Sequence, residues 1–224
     1  MVFVGTFTFR FLSLTGFTDD HHVHVAGAQQ MRAGEWPTRD FVDPGMPLMY
    51  GTSAAMQAVL GGGLVTEALL ISAAFAAAAA GTTVLAWRLT GSWVAALIAA
   101  ALQVTIYPRT YSYPKILLYA LAVLAIVAYR ERPGFARLLA LAALVVVAFL
   151  FRHDHGVFIG ATALVGIALV PGESIRARMR AAGVYVALVL SGVAANLLAA
   201  GSALAAARIA ARIGLINTMV FTHL

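Results

Sequence analysis

Apolar residues come in long blocks along this chain, and polar residues fill short joints between them. The runs 67–87, 93–107, 115–129, 135–151, 155–170 and 181–199 are nearly free of charge inside. The joints read RLTGS, YPRTYSYPK, YRERPGFAR, FRHDHG and PGESIRARMR. Uniformly apolar runs of this kind predict helices that approach the ~30 Å thickness of bilayer hydrocarbon. None shows the alternation of a transmembrane strand. The expected fold class is all-α, a polytopic helical transmembrane bundle, with residues 1–224 as a single domain.

The N-terminal part breaks this rhythm. Residues 1–17 are apolar apart from Arg10 and lack the basic start and cleavage site of a signal peptide. They read as the tail of a first transmembrane helix whose start lies upstream. A polar island follows over 18–50. Within it, 19–33 reads as an interfacial helix with Val23, Ala26, Gln30 and Ala33 on one stripe, closed by Gly34. Trp36 suits a headgroup-level anchor, and Asp43-Pro44-Gly45 is turn chemistry. Pro47 opens a short apolar helix to residue 60, stopped by Gly61-Gly62-Gly63. At 1.5 Å per residue it rises only ~21 Å, too short to span. Residues 18–63 are therefore expected to form a first outer loop carrying juxtamembrane helices.

Composition sharpens this picture. Hydrophobic residues make up 62% and charged residues 11%, against about 25% charged in an ordinary soluble domain. The net charge of +6 comes from arginines clustered at the joints. That is the distribution of a topology signal, not of a nucleic-acid-binding surface, so no nucleic-acid partner is expected. The absence of cysteine excludes disulfides, thiolate metal sites and cysteine nucleophiles. If the helix from Pro47 does not cross, Arg88, the group Arg130, Arg132 and Arg137, and the group Arg176, Arg178 and Arg180 share one side. The positive-inside rule makes that side cytoplasmic. The island and the joints at 107–115 and 151–156 then share the outer face.

That outer face gathers the candidate chemistry. The island holds five of the nine acidic residues, Asp19, Asp20, Glu35, Asp40 and Asp43, and three of the six histidines. Polar residues massed at a membrane edge are a functional-site hypothesis by default. Asp19 and Asp20 also suit a helix N-terminus on dipole grounds alone. Asp20 and His24, at i and i+4, share a helix face. With Asp154 they are candidate ligands of a divalent metal, although solvated loop histidines are the plainer reading. Arg109, Lys115 and Arg152 either snorkel or together hold a phosphate at the bilayer surface.

Acids, phosphate-binding cations and an apolar scaffold suggest a transferase acting on a lipid-phosphate-linked donor. The island resembles the first outer loop of GT-C glycosyltransferases, the superfamily of protein O-mannosyltransferases and the lipid A aminoarabinose transferase. The resemblance lies in Asp19-Asp20 just after the first helix, then Gly34-Glu35-Trp36-Pro37, then Asp43-Pro44-Gly45-Met46-Pro47-Leu48-Met49-Tyr50. It covers roughly 19–91, and the rest only as a helix pattern. It departs from the family in having Asp for the second acid, where Glu is common, and in the histidine-rich DDHHVH.

The resemblance implies Asp19 as the catalytic acid, with Asp20 beside it and Asp43 before the proline-led helix. The implied donor is a polyprenyl-phosphate sugar bound through Arg152, Arg109 and Lys115. The acceptor would be a lipid, glycan or protein, and membrane lipids would surround the scaffold. No cofactor is firmly implied beyond the candidate metal. The expected location is a bacterial inner (plasma) membrane with the active face outward. Family members typically carry more helices, so the chain is expected to be part of a larger transferase. The alternative reading is a polytopic transporter or permease. It calls for ionisable residues at mid-bilayer, where only Arg10, Arg208 and Arg212 qualify.

Overall fold

The computed structural model describes residues 1–17, 19–105 and 114–199. Among the described residues the chain forms nine α-helices and no strand. They are α1 (Val2–Leu12), α2 (Asp19–Arg32), α3 (Pro47–Leu60), α4 (Leu64–Thr90), α5 (Trp93–Thr105), α6 (Lys115–Glu131), α7 (Phe135–Phe151), α8 (His153–Ala168) and α9 (Ile175–Ala199). Proline and glycine set the breaks. Pro47 opens α3 in the first turn, where its missing N–H is not needed. Gly91 ends α4 in the left-handed region at φ +67°, which a side chain would disfavour.

Small residues let the helices approach closely. α4 buries Ala68, Ser72, Ala76, Ala78 and Ala79, and packs against α1, α2, α3, α5 and α6. In the C-terminal half, Leu141, Val145, Ala148, Ile159, Ala163, Ile167 and Tyr185 form one core between α6, α7, α8 and α9. α1 turns its one charge inward. Arg10 is buried, donates from Nη2 to the Val104 carbonyl at 2.9 Å, and lies 3.8 Å over the Phe75 ring. A carbonyl and an aromatic face thus replace the water that the guanidinium lost.

Side-chain contacts define two ends of the bundle. Arg88 pairs with Glu131 at 2.7 Å, which brings the C-termini of α4 and α6 together. Arg130 and Arg178 donate to the Leu169 and Ala168 carbonyls, adding the C-terminus of α8 and the N-terminus of α9. The arginine groups expected on one side therefore do share one end. At the other end stand Lys115, Arg152 and Asp154. α3 packs near this second end. The turn before it packs Gly45 on His153, its middle joins Ser53 to Glu67, and the Gly61 carbonyl after it accepts from Thr66.

The stripe Val23, Ala26, Gln30 and Ala33 is the exposed face of α2, with Val23 48% exposed. The packed face is His21, His24, Gly27 and Ala28. Gly27 decides this, because a Cβ there would lie 2.5 Å from the Tyr50 ring of α3. One expectation needs correction, and it concerns length. Only α4 and α9, with 27 and 25 residues, are long and apolar enough to cross a membrane unaided among the described residues. α5 has 13 residues and α6 and α7 have 17 each, which is roughly 20–26 Å at 1.5 Å per residue.

Candidate functional site

Three sequence-distant segments meet at the second end. Asp20 is in the first turn of α2, Lys115 opens α6, Arg152 links α7 to α8, and Asp154 sits in the first turn of α8. Asp20, Arg152 and Asp154 all lie near enough for their charges to act on the Lys115 ammonium. Arg152 Nε is 3.0 Å from Asp154 Oδ1, and both side chains are about one-third exposed. Burial alone would raise the Asp154 carboxyl. The His155 backbone N–H at 2.8 Å, the His155 ring and the Arg152 guanidinium outweigh it and hold it below the ordinary carboxylate range. The His155 ring in turn meets the Tyr119 hydroxyl.

This cluster borders an apolar groove of about 370 Å³. Its walls include Phe3, Met49, Leu70, Ala74 and Leu117. Pro114 and Phe151, the chain neighbours of Lys115 and Arg152, also line it. Two cations therefore stand at the rim of a greasy cleft. A second cavity of about 400 Å³ opens beside the island and is lined by Trp36, Thr38, Asp43, His153 and Asn196 among others.

The remaining expected site residues divide. Asp19 is exposed at the first position of α2. Asp43 is engaged by its own loop. Its Oδ1 accepts from the Gly45 and Met46 backbone N–H groups at 2.9 and 2.7 Å, and its Oδ2 from the Thr38 hydroxyl at 3.3 Å. That geometry shapes the entry to α3. Arg109 lies outside the described residues, as do Arg208 and Arg212. The candidate metal ligands Asp20, His24 and Asp154 do not gather. His24 is fully buried and Asp20 is exposed, and no group of three or more His, Asp or Glu side chains suited to a metal occurs among the described residues. The physical reason is that His24 faces α4 rather than the surface.

What His24 faces is a network that sequence reasoning missed. Glu67 Oε1 is 3.2 Å from His24 Nδ1, Glu67 Oε2 accepts from Ser53 Oγ at 2.7 Å, and Gln57 Nε2 donates to Ser53 Oγ at 3.3 Å. All four residues are at most 1% exposed. Three helices, α2, α3 and α4, are thereby tied at one point. A signal was present: Ser53 and Gln57 stand one turn apart in an otherwise apolar α3, which marks a polar stripe needing a partner. The carboxylate lies between the imidazole and the hydroxyl, so this is not the order of a nucleophilic triad, where the base lies between.

Fold and site together define an all-α bundle with two helices of membrane-crossing length and a charged cluster at one end. Scans against protein-family models, curated proteins and solved structures each return no match.

Proposed function

We propose that this chain is the membrane-embedded core of a GT-C-type glycosyltransferase, moving a sugar from a polyprenyl-phosphate donor to an acceptor at the outer membrane face. One observation carries the reading: acids and cations from three separate segments lie close together beside an apolar groove. That arrangement suits a ligand with a phosphate on a long hydrocarbon tail. The tail would lie along Leu70, Ala74 and Leu117. The phosphate would meet Lys115 and Arg152, where charge-assisted contacts are strong. Embedding in a bilayer also accounts for large apolar side chains that stay exposed along the helices, such as Leu97, Ile98, Phe158 and Leu190. Trp87 and Trp93, stacked at 5.0 Å beside Arg88, suit an interfacial belt at the arginine end.

In the proposed reaction, an acceptor hydroxyl attacks the anomeric carbon of the donor. The bond from that carbon to the phosphate oxygen breaks, and its electron pair leaves with the polyprenyl phosphate. Lys115 and Arg152 stabilise the charge that develops there. The hydroxyl proton passes to a carboxylate of the Asp19–Asp20 pair. Both acids are exposed at the start of α2, so an acceptor reaches them from water. Asp43 keeps the loop in shape and takes no proton.

The test is transfer from a polyprenyl-phosphate sugar in membranes containing wild type, Asp19→Asn or Asp20→Asn. One substitution of the pair should lower the rate at least ~100-fold, the low end for a general base, with expression unchanged. Full activity in both variants refutes the reading.

A further inference from the structure

The arginine end carries a site that the transferase reading does not use. A cavity of about 670 Å³ opens between the C-termini of α6 and α8 and the N-termini of α7 and α9. Its inner wall is apolar, with Phe135, Leu138, Ile167 and Val184, while Arg176, Arg178 and Arg180 also line it. The three arginines are not equivalent. Arg178 donates from Nη1 to the Ala168 carbonyl at 3.1 Å, and so caps the end of α8. Arg176 and Arg180 stand one turn apart on α9, and neither has an ion-pair partner among the described residues.

We propose that this cavity binds an anionic phospholipid from the surrounding leaflet. Its phosphate would sit between the guanidinium groups of Arg176 and Arg180, and an acyl chain along Phe135, Leu138 and Val184. Charge complementarity selects the headgroup. Glu173 is the one acidic residue among the lining residues, against three arginines. Guanidinium groups bind phosphate oxygens through paired N–H donors, and basic pockets between helices at the cytoplasmic side recognise acidic lipid headgroups. The apolar wall selects a lipid over a soluble anion. A zwitterionic lipid carries an ammonium-type charge that the arginines repel. The proposal needs the protein to reside in a membrane, but it does not depend on glycosyl transfer.

Native mass spectrometry of protein released from nanodiscs of equal phosphatidylglycerol and phosphatidylcholine tests it. Wild type should retain phosphatidylglycerol preferentially. R176Q/R180Q removes both contacts and should lose at least about tenfold in that retention, the low end for even one charge-assisted contact. R88Q/R132Q removes two charges at the same end outside the cavity, and should leave retention within about twofold by the same measure. If R176Q/R180Q is not recovered folded, V184W fills the cavity with every arginine in place and should reduce retention equally. The proposal is overturned if wild type shows no preference or if R88Q/R132Q loses as much. It is also overturned if excess inorganic phosphate strips the lipid, since the site would then read phosphate alone. Recovery of the protein outside the membrane fraction would instead defeat the membrane placement.

Discussion

Two polar clusters occupy the same end of the bundle and use similar side chains, yet they are opposite in kind. Glu67, His24, Ser53 and Gln57 are sealed, and Glu67 meets His24 and Ser53 inside the protein. Asp20, Lys115, Arg152 and Asp154 are partly open, mix both signs of charge, and border an apolar groove. The sealed cluster has the economy of a structural tie. A buried carboxylate stays favourable only with its hydrogen bonds made, and here the bonds reach across three helices. The open cluster keeps charge where a ligand can meet it. The difference teaches that polarity in an apolar chain is not itself a sign of chemistry; access is what separates the two. The same comparison weakens the transporter reading. The pair Glu67–His24 adds ionisable groups on facing helices, but it sits in the first turn of α4, near the end of the bundle, and lines none of the cavities described above.

The comparison breaks most visibly at the acid pair, where the loss expected on Asp19→Asn or Asp20→Asn is kinetic and should leave the melting temperature unchanged. Next comes the sealed cluster, where the expected loss is of stability. Glu67→Ala removes the acceptor from Ser53 and the partner from His24, at about 1–3 kcal/mol for each buried group left unsatisfied. Glu67→Gln should cost far less, because an amide can accept from Ser53 and donate to His24. Thermal unfolding in detergent separates them. Equal melting temperatures for Glu67→Ala and wild type would mean that the network is not a tie, and loss of donor binding in folded Glu67→Gln would make it part of the site.

At the open cluster, Lys115→Gln and Arg152→Gln should each weaken polyprenyl-phosphate binding by about tenfold to a hundredfold, the worth of one charge-assisted contact. Snorkelling forecasts slightly altered insertion and unchanged affinity. Titration of polyprenyl phosphate against folded protein decides, and unchanged affinity in both variants removes the phosphate site from this cluster.

The smallest effect is that of pH on the Arg152–Asp154 pair. The carboxyl is held below its ordinary range, so the stability it contributes is present above the unfolded pKa of about 3.9. It is lost only as pH falls through the lower folded value. For a pair about one-third exposed, the contribution is roughly 0.2–1 kcal/mol. The gap in melting temperature between wild type and Asp154→Asn should stay constant from pH 7 to about 4 and close below that. A gap that first widens as the His155 ring takes up a proton would show that ring drawing on the same carboxylate.

Much of this architecture was legible from residue order. The 14-residue helix from Pro47, the start of α7 at Phe135, and the joints around Gly91 and Pro133 follow from proline, glycine and apolar run length. Those signals act within a few residues of backbone, so a linear reading captures them. The grouping of Arg88, Glu131, Arg137 and Arg178 at one end was also accessible, because alternating helix direction is a matter of counting. Other features arise only when helices meet. On α2 the inward face is His21, His24, Gly27 and Ala28, which no apolar stripe marks in the sequence. A glycine admits Tyr50 more closely than any side chain would, and Glu67 offers His24 a partner from 43 residues away. Likewise, nothing local distinguishes Asp43, spent on its own loop, from Asp20, whose charge acts on Lys115. Sequence determined which segments are helical, apolar or charged, because backbone and hydration energies are local. Tertiary structure alone decided which polar groups are sealed and which are open, because that depends on the neighbours that folding brings.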